Sequence, residues 1–190
     1  MMLKPAVAFM KVKHRLPMPQ LEIKFRDEDI LGFDLTIKKL LGTDCSFDYT
    51  VEPDIDGLPV ELVYENGALR MAATRGDGYI GENVTANIRT ILTVPLTLPE
   101  PIDGGSVPGR LEVWGKVYME ANAFAELNQD RIEKDFPPFE TPRQAAISSL
   151  MQTNPRITAK RPLNMFCYDV GEVKLAGLNT QHKLMLSLQQ

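Results

Sequence analysis

Residues 58–75 read LPVELVYENGALRMAATR, and this stretch decides the fold. Apolar side chains recur at every second position through LPVELVYE and again in ALRMAATR, the period of a strand with a buried face. Asn66-Gly67 joins the two runs, and Asn-Gly between such segments is the strongest short hairpin signal a sequence carries. An antiparallel hairpin is therefore the starting point.

On the N-terminal side, YTVEPDI reads as a further strand. Its period of two aims Glu52, Asp54 and Asp56 at one face, where like charges repel and a cation is needed opposite. Before it, Asp27 is expected to cap a helix with Ile30, Leu31, Ile37, Leu40 and Leu41 at helical spacing, Lys38 and Lys39 at its negative end and Gly42 stopping it. Residues 1–25 read as an extended, proline-punctuated lead, and residues 26–190 as the domain. On the C-terminal side, GENVTANIRTIL reads as a short helix with Ile88 and Ile91 inward, followed by a proline-rich crossing from Pro95 to Pro108. LEVWGKVYM is a strand and EANAFAELNQDRIEKD a helix ended by Pro137-Pro138. TPRQAAISSLMQ is a helix capped by Thr141 with Pro142 at its first position. LNMFCYDVGEV is an apolar strand, and LNTQHKLMLSLQQ begins a last helix. Hairpins dominate the pairing, so the class is α+β.

The chain has 190 residues, 44% of them hydrophobic, enough for one core and too few for two ordinary domains. A net charge of -4 gives no global attraction to nucleic acid or anionic membrane, so any such binding needs a local basic patch. No run approaches membrane-spanning length, and Lys4 and Pro5 interrupt the apolar residues near the start, which argues against a secretory signal. Cys45 and Cys167 lack metal spacing and read as buried thiols of a reducing cytoplasm. His14 and His182 show no ligand pattern. Trp114 reads as core or cleft wall rather than a base-stacking platform.

Polar residues concentrate in VEPDIDG, in ATRGDGYIGENVT and around Lys116. Gly76, Gly78 and Gly81 would let a backbone approach a ligand, and Arg75 offers a planar fork for a phosphate or carboxylate, although tight turns account for the same glycines. VEPDIDGLPVELVYENGALRMAATRGDGYIGENVTANIRTI resembles the nucleotide-binding core of bacterial NAD-dependent DNA ligases. The similarity continues through LEVWGKVYM, TPRQAAISSLMQ, NPRITAKRPL and FCYDVGEV, from about His14 to the end. It implies a nucleotidyltransferase fold of antiparallel sheets flanked by helices, with NAD or AMP, and magnesium, as the cofactors to test and none assigned.

The family motif KxDG supplies a lysine whose neutral amine attacks the adenylyl phosphorus of NAD, giving AMP-lysine. Here that position is Asp54. A carboxylate cannot form the phosphoramidate, and its charge repels the substrate phosphates. Asp56 and Gly57 match the rest of the motif, and Glu52 matches an acidic residue that contacts adenine in the family. Where the family has Gly-Glu-Val, this chain has Gly115-Lys116-Val117. The exchange is reciprocal, so Asp54 and Lys116, helped by Arg75, are expected to pair across the cleft in reversed polarity. That pair is read either as a structural remnant or as a regulatory site. Glu52, Asp54 and Asp56 also suggest an oxygen-lined divalent-cation site.

Gln20-Leu21-Glu22-Ile23 replaces the Ser-Leu-Asp-Asn of the family's pocket. The nicotinamide-holding domain, the later motif lysines and the OB-fold, zinc, helix-hairpin-helix and BRCT regions have no counterpart, and each loss is expected to weaken ligation. Arg143 persists in the DNA-facing helix while Met151 replaces a second arginine. Arg156, Lys160 and Arg161 keep a basic segment for nicked DNA, or form a solvated face. Two functions follow from the resemblance. One is a pseudoenzyme of DNA repair or replication that binds nucleotide, DNA or a protein partner; the other is an active fragment with Lys116 as substitute nucleophile.

Overall fold

In the computed structural model, which describes residues 9–20, 22–99, 107–171 and 180–188, the hairpin forms as its sequence requires. Leu58–Glu65 and Ala68–Thr74 pair antiparallel, with a bulge at Val63/Tyr64. Asn66 and Gly67 both take positive φ, 50° and 78°, the combination of a primed two-residue turn that matches the twist of the strands. Two three-residue strands that alternation could not reveal also pair with each other: β1 (Lys11–Lys13) in the lead and β4 (Ile80–Glu82) after the glycine loop. Numbering in chain order makes the hairpin β2 and β3. Arg110–Tyr118 is β5 and Asn164–Val170 is β6, and the larger sheet runs β3-β2-β5-β6, antiparallel throughout.

The faces of this sheet follow from strand alternation. Val60, Leu62 and Tyr64 of β2, Leu111, Val113 and Val117 of β5, and Leu69 and Ala72 of β3 point into the principal core. Three helices cover them: α2 (Thr85–Ile88), α3 (Ala121–Glu133) and α4 (Pro142–Leu150), contributing Ile88, Leu127, Ala145, Ala146 and Leu150. Thr141 caps α4 as its sequence predicts, accepting a hydrogen bond from the Gln144 amide, with Pro142 at the first turn. A short helix inside NPRITAKRPL, Pro155–Thr158, starts at an Asn154 cap for the same reason. Asn87 of α2 ties these helices together. Its buried amide nitrogen lies 2.8 Å from the Leu150 carbonyl, 2.7 Å from the Gln152 carbonyl and 2.9 Å from Thr158 Oγ1.

Contacts gather the lead up to Met18 and the chain from Ile55 onward into one compact unit, and Pro19–Asp54 into another. The second unit holds the expected helix, Asp27–Leu41, closed by Gly42 at φ 63°. Its N-cap is Arg26 and not Asp27; Asp27, Glu28 and Asp29 instead fill the first turn, where the helix dipole favours anions. None of its residues is buried. YTVEPDI is not a strand. Val51 is 92% exposed and the stretch has no ladder partner among the described residues, so the alternation of charges there reflects an open, Pro53-stiffened segment and not a pleat. Cys45 is exposed, against the buried reading, while Cys167 is largely covered. Numbering the helix of the second unit α1, the Pro155–Thr158 turn becomes α5 and Gln181–Leu188 becomes α6. Parts of the crossing, of the Gln20–Ile23 segment and of the C-terminal strand and helix readings lie outside the described residues.

Candidate functional site

The side of the large sheet turned away from the principal core carries the polar residues. Alternation along β5 sends Glu112, Trp114 and Lys116 to this side, and across β2 they face Val63, Glu61 and Pro59 respectively. Trp114 is 7% exposed and packs with Met18 of the lead and Tyr168 of β6, so it is wall and not platform. Lys116 is half-buried opposite Pro59 and Phe166. Gly57 sits against it: a Cβ at Gly57 would stand 3.1 Å from Lys116 Cβ and 2.5 Å from the Val117 carbonyl. Only glycine lets the chain pass this close to β5, which is the physical reason for the last residue of the motif.

Asp56 is exposed and meets Arg143 Nη1 at 2.9 Å. A residue assigned by resemblance to the nucleotide and one assigned to DNA thus neutralise each other on the surface, a contact worth little in stability. Arg75 donates from Nε to the Met18 carbonyl at 3.2 Å and fixes the lead to the glycine loop. In that loop Gly76 holds φ 57°, and a Cβ there would collide with the Ile80 carbonyl at 1.9 Å. Asp77 accepts from the Tyr79 and Ile80 amides at 2.8 and 2.7 Å. Those amides, Ile80's foremost, hold its carboxyl below the usual range. The glycines are therefore turn formers on the present geometry.

Glu52 and Asp54 are exposed in the irregular end of the 19–54 unit, whereas Asp56, Gly57, Arg75 and Lys116 belong to the sheet unit. Among the described residues no group of three or more His, Cys, Asp or Glu side chains is placed to hold a metal ion.

The basic segment is assembled into a groove of about 690 Å³. One wall is a stripe of α3, namely Ala123, Glu126, Leu127, Asp130 and, one turn on, Lys134. Facing it are Arg156, Ile157, Lys160 and Arg161 of α5 and the turn beyond. Lys134 is paired with Asp130, which leaves Glu126 as the other acid facing three cations of the opposite wall. Arg143 is elsewhere, with Asp56. Of the four cations assigned to DNA by resemblance, Arg156, Lys160 and Arg161 line one groove, and sequence spacing could not show that α3 lies opposite them.

Among the described residues no helix is long and apolar enough to cross a membrane. Residues 6–190 match the profile of the NAD-dependent DNA ligase adenylation domain. A protein of Geobacter metallireducens named DNA ligase is 46% identical over 188 residues, which cover 98% of this chain and 27% of that protein. Proteins of the same name from Geobacter sulfurreducens and Thermodesulfovibrio yellowstonii are each 46% identical, over 95% and 90% of this chain and 27% and 25% of their own lengths. The chain therefore spans about a quarter of the length of these relatives. A mixed α and β architecture of antiparallel sheets, the reading of its residues and a profile covering nearly all of it agree: the chain belongs to the NAD-dependent DNA ligase adenylation domain family.

Proposed function

We propose that this chain is a catalytically degenerate member of the family that forms no AMP-lysine at the motif position and holds nicked DNA through the α3–α5 groove. The observation that carries the reading is Asp54. An amine reacts there because its neutral form offers a lone pair to phosphorus, and a carboxylate neither forms that bond nor tolerates the approaching phosphates. Arg75 Nε is engaged by the Met18 carbonyl and Asp56 by Arg143, so NAD or AMP would compete with both contacts.

DNA binding rests on the three cations of one groove wall, each able to displace a condensed counter-ion from the phosphate backbone. Titrating labelled nicked duplex at about 50 and about 200 mM salt should show affinity that falls steeply with salt. Replacing Arg156, Lys160 and Arg161 together by alanine should weaken binding and flatten that dependence, by a slope of about 1 for each lost phosphate contact. Binding that is absent at low salt, or unmoved by the triple replacement, would overturn the groove assignment.

A second reading has a specific observation behind it. Lys116 lies on β5 where the motif glycine passes, its Cβ 3.1 Å from where a Cβ on Gly57 would stand, and its side chain carries the kind of amine that a substitute nucleophile needs. An adenylyl group mapped to Lys116 by peptide sequencing, and lost in Lys116→Ala, would establish it in place of the degenerate reading.

A further inference from the structure

The helix of the second unit, α1, presents an apolar stripe that the described residues leave open. Ile30, Phe33, Ile37 and Leu40 follow one another at intervals of three, four and three residues, which sets them on one side of the helix. Ile30 and Leu40 are 55% and 76% exposed, Phe33 is exposed beside the edge-on ring of Tyr49, and Ile37 is half-buried. This spacing is that of a coiled-coil seam, and a short helix draws its stability from packing such a face and not from propensity.

Two features of α1 select what packs there. The intervals three, four and three read the same in either direction. Two antiparallel copies therefore bring Ile30 of each against Leu40 of the other and Phe33 against Ile37, with no residue of the stripe left over. The charges are arranged in the same sense. Asp27, Glu28 and Asp29 fill the first turn, which keeps an excess of acid even with Arg26 on Asp29 at 3.0 Å, and Lys38 and Lys39 fill the last. Antiparallel packing sets the acidic end of each helix beside the basic end of the other, whereas parallel packing sets like ends together. Asp34, the acid nearest the midpoint, is matched within its own helix by Lys38 at 2.8 Å.

We propose that α1 is a self-association surface on which two copies of this chain pack their helices antiparallel, as a two-fold isologous pair. The surface lies within the 19–54 unit and asks nothing of the sheet unit. Four side chains from each copy cannot bury the roughly 1,200–2,000 Å² of a stable interface, so the dissociation constant is on the order of 100 μM and the helix stands alone in dilute solution. Leu31 and Leu35 lie on another side of the helix and take no part.

Sedimentation equilibrium of the full chain from about 5 to about 500 μM, under reducing conditions because Cys45 is exposed, should show monomer passing toward dimer. Deuterium exchange of the α1 amides should slow over the same range. Ile30→Asp and Leu40→Lys should each weaken association at least about tenfold, because each puts an unpaired charge into the seam. Leu35→Asp, off the stripe, should leave it unchanged. Mixed in equal amounts, Ile30→Asp and Leu40→Lys should associate more strongly than either alone, since antiparallel pairing sets the new acid opposite the new base in one layer and keeps Ile30 with Leu40 in the other. A monomer across the whole range, growth past a dimer, α1 amides protected equally at every dilution, a Leu35→Asp effect as large as that of the seam variants, or no gain on mixing would each overturn the proposal.

Discussion

Asn87 is the residue whose chemistry holds the most structure. Its one amide nitrogen serves the end of α4, the turn after it and the hydroxyl of Thr158, which in turn donates to the Ser149 carbonyl at 2.9 Å. Replacing it with alanine orphans buried acceptors on two elements, and a single buried unsatisfied group costs about 1–3 kcal/mol. Asn87→Ala should therefore lower the unfolding free energy by at least about 1 kcal/mol, read as a lower denaturant midpoint, and an unchanged midpoint would show that the clamp is idle. The cysteines separate just as clearly. Burial pushes the Cys167 thiol up to about 11, so at neutral pH it holds almost no thiolate, while Cys45 is exposed. Iodoacetamide at pH 7 should label Cys45 first, and Cys167 should react only as the pH rises toward its own value or as the chain unfolds. Asn87 does not announce itself in the sequence, because one polar residue in a short helix has no period to read, whereas the apolar run around Cys167 marks it as a covered thiol.

Elements were legible where local chemistry and packing agree. Asn66-Gly67 dictated β2–β3 because both turn residues must take positive φ, and Thr141-Pro142 dictated the start of α4 because cap and ring geometry suit a first turn. The three-residue β1 and β4 escaped because three residues hold too little alternation, and VEPDIDG misled because charge at every second position imitates a pleat. The buried contact of His14 with Glu61 lay beyond reach for another reason: the two are 47 residues apart, and only the fold joins them. In the second unit, α1 has good capping charges, an edge-to-face contact of Phe33 with Tyr49 at 5.8 Å and the Tyr49 hydroxyl on Asp34 at 2.8 Å. Yet Ile30, Leu31, Leu35, Leu40 and Leu41 are more than half exposed. A 15-residue helix that buries nothing is marginal in water. Its amides should exchange with deuterium well before those of β2 and β5, and equal protection would show that this helix is packed in solution.

At the scale of the molecule, charge is unevenly shared. Residues 19–54 carry nine acidic side chains against four basic ones, while the remainder is nearly balanced and concentrates cations on one wall of the α3–α5 groove. The net charge of -4 thus hides a basic site that composition could neither show nor exclude. The family, its antiparallel sheets and the motif positions were all readable from residues. The engagement of Asp56 by Arg143 and of Arg75 by Met18 was not, since both contacts join segments far apart in the chain. The proposed loss of AMP-lysine formation turns on the acid at Asp54, and the mass of the intact protein tests it most directly. After incubation of the purified chain with NAD and magnesium, the predicted spectrum shows the unmodified polypeptide alone; a species heavier by one covalently held adenylyl group would contradict the account.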